Sequence, residues 1–232
     1  MSIEILPTIV PSSFDDITLW GARFKDFAAW VQVDLGDGKF VSNTTWVPAE
    51  GEMLPHRDAL NYEFHLMTQE PRVLGLECIR AGAKRVIGHI ETFSDTNGAR
   101  AALLAWKKAG PVRGAASNGA GAEVGLALLI DTPFARVESL VSACDVILLM
   151  SIATLGKQGA PFDERIYERV RQFHALYPSV VIAIDGGVSE KNIAGLVQAG
   201  ASRFSVGSAI AKAPDPLAAY AHLKALAESA LV

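Results

Sequence analysis

Cysteine is scarce in this chain: Cys78 and Cys144 are the only two in 232 residues. Neither belongs to a CxxC or a Cys/His spacing, which argues against a disulfide framework and against a structural zinc site. Both follow apolar stretches, so buried free thiols are expected. Positive charge is not in surplus either, with 21 Lys and Arg against 25 Asp and Glu and a formal net charge of −4. Without basic residues to gather on phosphate backbones, nucleic acid is not an expected partner, whereas a small phosphorylated ligand needs only a few donors. No run of about 18 apolar residues occurs, so no membrane span is expected. The opening "MSIEILPTIVPSS" has no basic leader, and Pro7 and Pro11 break its apolar run. The expectation is a cytoplasmic protein.

What the sequence does hold is a recurrence of short apolar runs: "EILPTIV", "WVQVDL", "YEFHLM", "RVIGHI", "EVGLALLI", "DVILLMS", "VVIAID" and "RFSVGS". Several are apolar throughout, as strands covered on both faces are, and helical patterns such as "EPRVLGLECIRAG", "ARAALLAWKKAG" and "EKNIAGLVQAG" lie between them. Each of these helices ends in Ala-Gly, a C-cap signal. "AGAKRVIG", "VSACDVIL" and "AGASRFSV" repeat a small-residue turn feeding a strand, with "FAAWVQV" as a looser copy. Their strand starts, Val31, Val86, Val146 and Phe204, are spaced as pairs of βα units. The pattern predicts a (β/α)8 TIM barrel, with residues 1–232 forming one domain. An open doubly wound sheet is the alternative, but no GxGxxG follows the first strand. The weakest helical stretch is "AEGEMLPHRDAL", interrupted by Gly51 and Pro55, and "GPVRGAASNGAGAE" is a loose Gly/Ala segment.

In such a barrel the chemistry belongs to the polar residues that close each strand. These are Thr8, Asp34, His65, His89, Asp131, Ser151, Asp185 and Ser208. Asp34 and Gln32 share one face of the second run, because side chains alternate along a strand. Asp34 and Asp185, on well-separated strands, could act across one substrate, one taking a proton from a carbon beside a carbonyl and the other returning it to the opposite face. His65 beside them completes a plausible set of metal ligands. Singly, a strand-end Asp also serves as a turn former or helix cap, and a lone His as a core residue. "DGGVSEKN" and "VGSAIAKA" follow the seventh and eighth runs, so Gly186, Gly187, Gly207 and Ser208 can aim N–H groups at an anion or simply make tight turns.

The segments "PTIVPSSF", "VDLGDGKFVSN", "FHLM", "GHIE", "LLMS", "IDGGV" and "VGSAI" resemble, in order and spacing, the ribulose-phosphate 3-epimerase family of ribulose-phosphate-binding barrels. The resemblance implies a sugar-phosphate epimerase in which Asp34 and Asp185 are the acid/base pair and, with His65, ligands to a divalent ion such as zinc, iron or manganese. It further implies that Thr8, Met67 and Met150 line the sugar pocket, and that Gly186, Gly187, Gly207 and Ser208 hold the phosphate of a small phosphorylated sugar. A homo-oligomer is compatible with it. The chain departs from the family at Gln32, where a ligand histidine is usual, so that this ligand is weak or lost. It departs also at Gly36, at Leu129 and Ile130, and in the loop "SIATLGKQGAPF", where Lys157 is a new cation. These differences leave two other readings open: a lyase or decarboxylase relative using Lys157, and a non-catalytic phosphosugar-binding paralogue.

Overall fold

The computed structural model describes residues 2–110, 121–155 and 160–231. All eight apolar runs form strands: β1 (Glu4–Ile9), β2 (Trp30–Gly36), β3 (Asn61–Met67), β4 (Arg85–His89), β5 (Glu123–Leu128), β6 (Val146–Met150), β7 (Val181–Asp185) and β8 (Arg203–Val206). Each pairs in parallel with the next, and β8 pairs with β1, closing the barrel in sequence order. Closure rules out the open doubly wound sheet. The repeated turn feeds the even strands, its four copies meeting β2, β4, β6 and β8 at or one residue beyond their starts.

The outer layer comprises α1 (Phe14–Phe24), α2 (Pro71–Ala81), α3 (Thr96–Ala109), α4 (Arg165–Leu176), α5 (Ile193–Ala199), the single turn α6 (Ser208–Ala211) and α7 (Pro216–Ser229). Local chemistry sets their ends. Ser13 and Asp16 form a reciprocal capping box at the start of α1, and Pro71 opens α2, where its missing N–H costs nothing. The Ala-Gly signal works as expected at Gly82 and Gly200, both left-handed at φ 115 and 117; Gly110 also has positive φ but leaves its helix in a more extended conformation. The stretch containing Gly51 and Pro55 forms turns rather than a helix, and β5 joins β6 through two 3₁₀ turns, Phe134–Arg136 and Val141–Ala143. Of the loose segment after α3, residues 111–120 lie outside the described residues. Both cysteines are free; Cys78 is buried, but Cys144 is only half-buried because it stands in the turn before β6. Among the described residues no helix is long and apolar enough to cross a membrane.

The apolar residues form two bodies. The larger lies between strands and helices and includes Phe24, Phe64, Trp106, Phe173 and Phe204. The smaller fills the lumen with Ile87, Ala127, Val146, Leu148, Met150 and Ala183. A Cβ on Gly125 would come within 2.6 Å of Val146, so the packing there tolerates only hydrogen. At the N-terminal end the lumen is closed by charge. Arg85, 1% exposed, lies 2.8 Å from Glu63, 3.1 Å from Glu4 and 2.6 Å from Glu123, and stacks 3.7 Å from the centroid of the Trp30 ring. A buried guanidinium needs several partners to offset its desolvation, and this arrangement supplies them. The opposite end is left for the site.

Candidate active site

Strand register brings the polar strand ends together. Thr8 pairs with Gln32, Asp34 with His65, Met150 with Asp185, and Asp185 with Ser205. Residues far apart in sequence therefore stand around one mouth.

At its centre His65 Nδ1 lies 3.2 Å from both Asp34 Oδ1 and Asp185 Oδ2. One ligand atom from each of these three residues falls within 4.8 Å of the others. The two carboxylates keep 12% and 13% side-chain exposure and reach the cavity above, while His65 is sealed below. Burial, reinforced by the Asp185 charge, pushes Asp34 up to about 6, against the downward pull of its His65 and Gln32 hydrogen bonds. For His65, burial disfavours the cation, but the hydrogen bonds and charges of Asp185 and Asp34 outweigh it and raise the group to about 10. Without an ion, the imidazolium is held between two acids.

Gln32 completes the arrangement from beneath. Its Nε2 donates to Asp34 Oδ1 and to Asp185 Oδ2, each at 2.7 Å, and its Oε1 accepts from the Ser205 hydroxyl. Two carboxylates can only accept, so the nitrogen is the end that faces them. In this orientation Gln32 offers protons rather than a lone pair, and it bridges the acids.

A second row of side chains supports His65. His65 Nε2 is 2.9 Å from His89 Nε2, and His89 Nδ1 is 3.0 Å from Glu91 Oε2. Glu91 Oε1 accepts from the Leu129 N–H at 2.9 Å and from the Thr132 hydroxyl. Burial drives His89 down to about 4, whereas Glu91 is held below the usual carboxylate range because these hydrogen bonds outweigh its burial. His89 is therefore neutral and Glu91 ionised at neutral pH.

One cavity joins the acid pair to the Gly-rich loops. Thr8, Asp34, Met67, Met150 and Asp185 line it together with Gly186, Gly187, Gly207 and Ser208. Gly186 and Gly187 have φ of 110 and 65, so the turn after β7 depends on glycine; Gly207, at φ −84, does not. Thr8 Oγ1 and Asn43 Oδ1 are buried in the cavity wall without a hydrogen-bond partner among the described residues. Asn43 reaches the wall because residues 37–45 fold back over β2: Gly38 N–H donates to the Asn43 carbonyl and Thr45 N–H to that of Gly36. A Cβ on Gly36 would approach the Asn43 carbonyl to 2.6 Å, so glycine at this departure suits the loop.

Two other strand-end residues lie elsewhere. Asp131 is exposed and paired with Arg165 at 2.7 Å, and the Ser151 hydroxyl donates to the Asp185 and Gly186 carbonyls, tying β6 to β7. Lys157 falls outside the described residues. Reasoning from sequence missed Asn43, Glu91 and Ser205. "GHIE" carried a signal for Glu91, and the isolated polar residue in "RFSV" carried one for Ser205.

Fold and site define a (β/α)8 barrel with two carboxylates and a histidine converging at the C-terminal strand ends. In fold the chain is similar to 3-hexulose-6-phosphate synthase from Salmonella typhimurium, with a TM-score of 0.66 at 14% identity, covering 98% of this chain and 100% of that one. The chain belongs to the ribulose-phosphate 3 epimerase family, which it matches over residues 4–211. It is 34% identical to the ribulose-phosphate 3-epimerase of Aquifex aeolicus (strain VF5), over 90% of either chain. To that of Mycobacterium bovis (strain ATCC BAA-935 / AF2122/97) it is 29% identical, over 97% of this chain and 93% of the relative.

Proposed function

We propose that this chain is a ribulose-phosphate 3-epimerase, an isomerase that inverts a carbon next to a carbonyl in a small phosphorylated sugar. The observation that carries the reading is the pairing of Asp34 and Asp185 in one cavity with the loops after β7 and β8. Asp34, poised near pH 6, can hold or release a proton at neutral pH, as a general acid/base requires. One carboxylate removes the substrate proton and the other delivers a proton to the opposite face, through an enediolate. Thr8 and Asn43 bring unsatisfied polar atoms to the sugar, Met67 and Met150 bring apolar surface, and Gly186, Gly187, Gly207 and Ser208 receive the phosphate.

The donor set fits a divalent ion of the zinc, iron or manganese kind: Asp34, His65 and Asp185 would hold it, with His65 Nδ1 aimed at the acids. Such an ion would supply Lewis-acid stabilisation of developing negative charge. Gln32, as oriented, is a bridging donor to the acids and not a fourth ligand.

The test is incubation of purified protein with ribulose 5-phosphate in deuterated water. Deuterium should enter at carbon 3 as xylulose 5-phosphate forms. Binding of the sugar phosphate without exchange would instead support the non-catalytic paralogue.

A further inference from the structure

The second row behind His65 has a defined proton order. The Glu91 carboxylate only accepts, so His89 Nδ1 must carry the hydrogen in the 3.0 Å contact with Glu91 Oε2. The 2.9 Å N···N contact between the two rings has room for one hydrogen. A neutral His89 already protonated on Nδ1 accepts there, which puts that hydrogen on His65 Nε2. Any additional proton is better placed on His65 Nδ1, which faces two carboxylates at 3.2 Å, than on His89, which faces one. Glu91 is itself oriented, because its other oxygen takes the Leu129 N–H and the Thr132 hydroxyl.

We infer that Glu91 and His89 are positioning residues for an ion in the site: they fix the His65 ring and keep the hydrogen of its neutral form on Nε2, so that Nδ1 presents its lone pair between Asp34 and Asp185. This rests on the proposed metal-assisted epimerase site, and extends it by two residues that touch neither substrate nor ion. Partners that orient a ligating imidazole typically change metal affinity by about 10- to 100-fold.

Glu91→Gln tests the chain with an isosteric change. Two donors hold one oxygen at position 91, so the carboxamide oxygen stays with Leu129 and Thr132 and the NH2 group turns to His89. His89 must then accept on Nδ1 and carry its hydrogen on Nε2, which forces the hydrogen of neutral His65 onto Nδ1. Zinc affinity, measured by competition with a chromophoric chelator and without substrate, should fall about 10- to 100-fold. In ¹⁵N spectra the zinc-loaded parent should show His65 protonated on Nε2, with a scalar coupling across the bond to His89 Nε2. His89→Gln, which restores an acceptor for His65 and a donor for Glu91, should keep most of the affinity, and His89→Phe should lose it.

Parental zinc affinity in a folded Glu91→Gln or His89→Phe protein would overturn the inference. So would a hydrogen on His65 Nδ1 in the zinc-loaded parent, or a parent that binds no zinc. Normal zinc and ¹⁵N behaviour without deuterium exchange into ribulose 5-phosphate would count against the epimerase reading alone.

Discussion

Gln32→His exchanges the bridging amide for an imidazole, and its effect should depend on zinc. In the parent the amide donates to Asp34 and Asp185 at 2.7 Å each while accepting from Ser205. A neutral imidazole at this position can keep Ser205 on one nitrogen but has one nitrogen left for two carboxylates. At least one charge-assisted hydrogen bond is lost, a cost of about 1.5–3 kcal/mol. In chelator the variant should therefore be about 2 kcal/mol less stable than the parent in urea unfolding at pH 7.5. With zinc the same ring offers a lone pair as fourth ligand, and affinity should rise by about 10-fold or more, equivalent to about 1.4 kcal/mol or more. At a zinc concentration 100 times the dissociation constant, binding to the native state adds about 2.7 kcal/mol, so the variant should recover its deficit. Parallel urea titrations with zinc and with chelator give both quantities. If the variant equals the parent in chelator, the amide does not restrain the acids; if zinc stabilises the parent as much as the variant, Gln32 already serves as a ligand and its bridging role is wrong.

Asp34→Asn and Asp185→Asn should each abolish conversion of ribulose 5-phosphate to xylulose 5-phosphate with the barrel intact by circular dichroism, since inversion needs a base on either face; parental epimerisation in either would defeat the assignment. For the metal-free protein, a folded-state His65 value of about 10 against 6.5 contributes stability that is complete below pH 6.5 and lost as pH rises through 10. His89, depressed to about 4, acts in the opposite direction, stabilising above pH 6.5 and losing that contribution as pH falls through 4. Asp34, raised to about 6, opposes His89 on the acid side, so the alkaline limb is the test: urea midpoints should fall between about pH 7 and 10.5, and a flat limb would show that His65 is not held as a cation. Gly207→Leu should weaken inorganic phosphate and ribulose 5-phosphate alike if the eighth loop cradles the anion; unchanged phosphate affinity in the folded variant would show that Gly207 does not hold it.

Much of the barrel was legible because its determinants are local. Apolar runs of strand length, Ala-Gly helix ends and a turn recurring at every second strand all follow from short-range preferences, and they mark the even strands to within a residue. The acid pair was legible for the same reason, since Asp34 and Asp185 each close an apolar run and parallel closure puts such ends at one mouth. The helical expectation was weakest over "AEGEMLPHRDAL", where a half-formed pattern yields turns.

What the sequence alone determined is thus which residues reach the mouth of the barrel. What those residues do to one another was decided by contacts between strands distant in the chain. The Gln32 face follows from strand alternation, but whether its amide presents a lone pair or protons depends on two carboxylates, one of them 153 positions away on β7, and on the Ser205 hydroxyl of β8. Likewise "GHIE" places His89 at a strand end, but its pairing with His65 and the anchoring of Glu91 by Leu129 and Thr132 join β3, β4 and the turn after β5. Proton positions and pKa shifts depend on angstrom distances and on the exclusion of water, and both arise only when the closed barrel packs these side chains together.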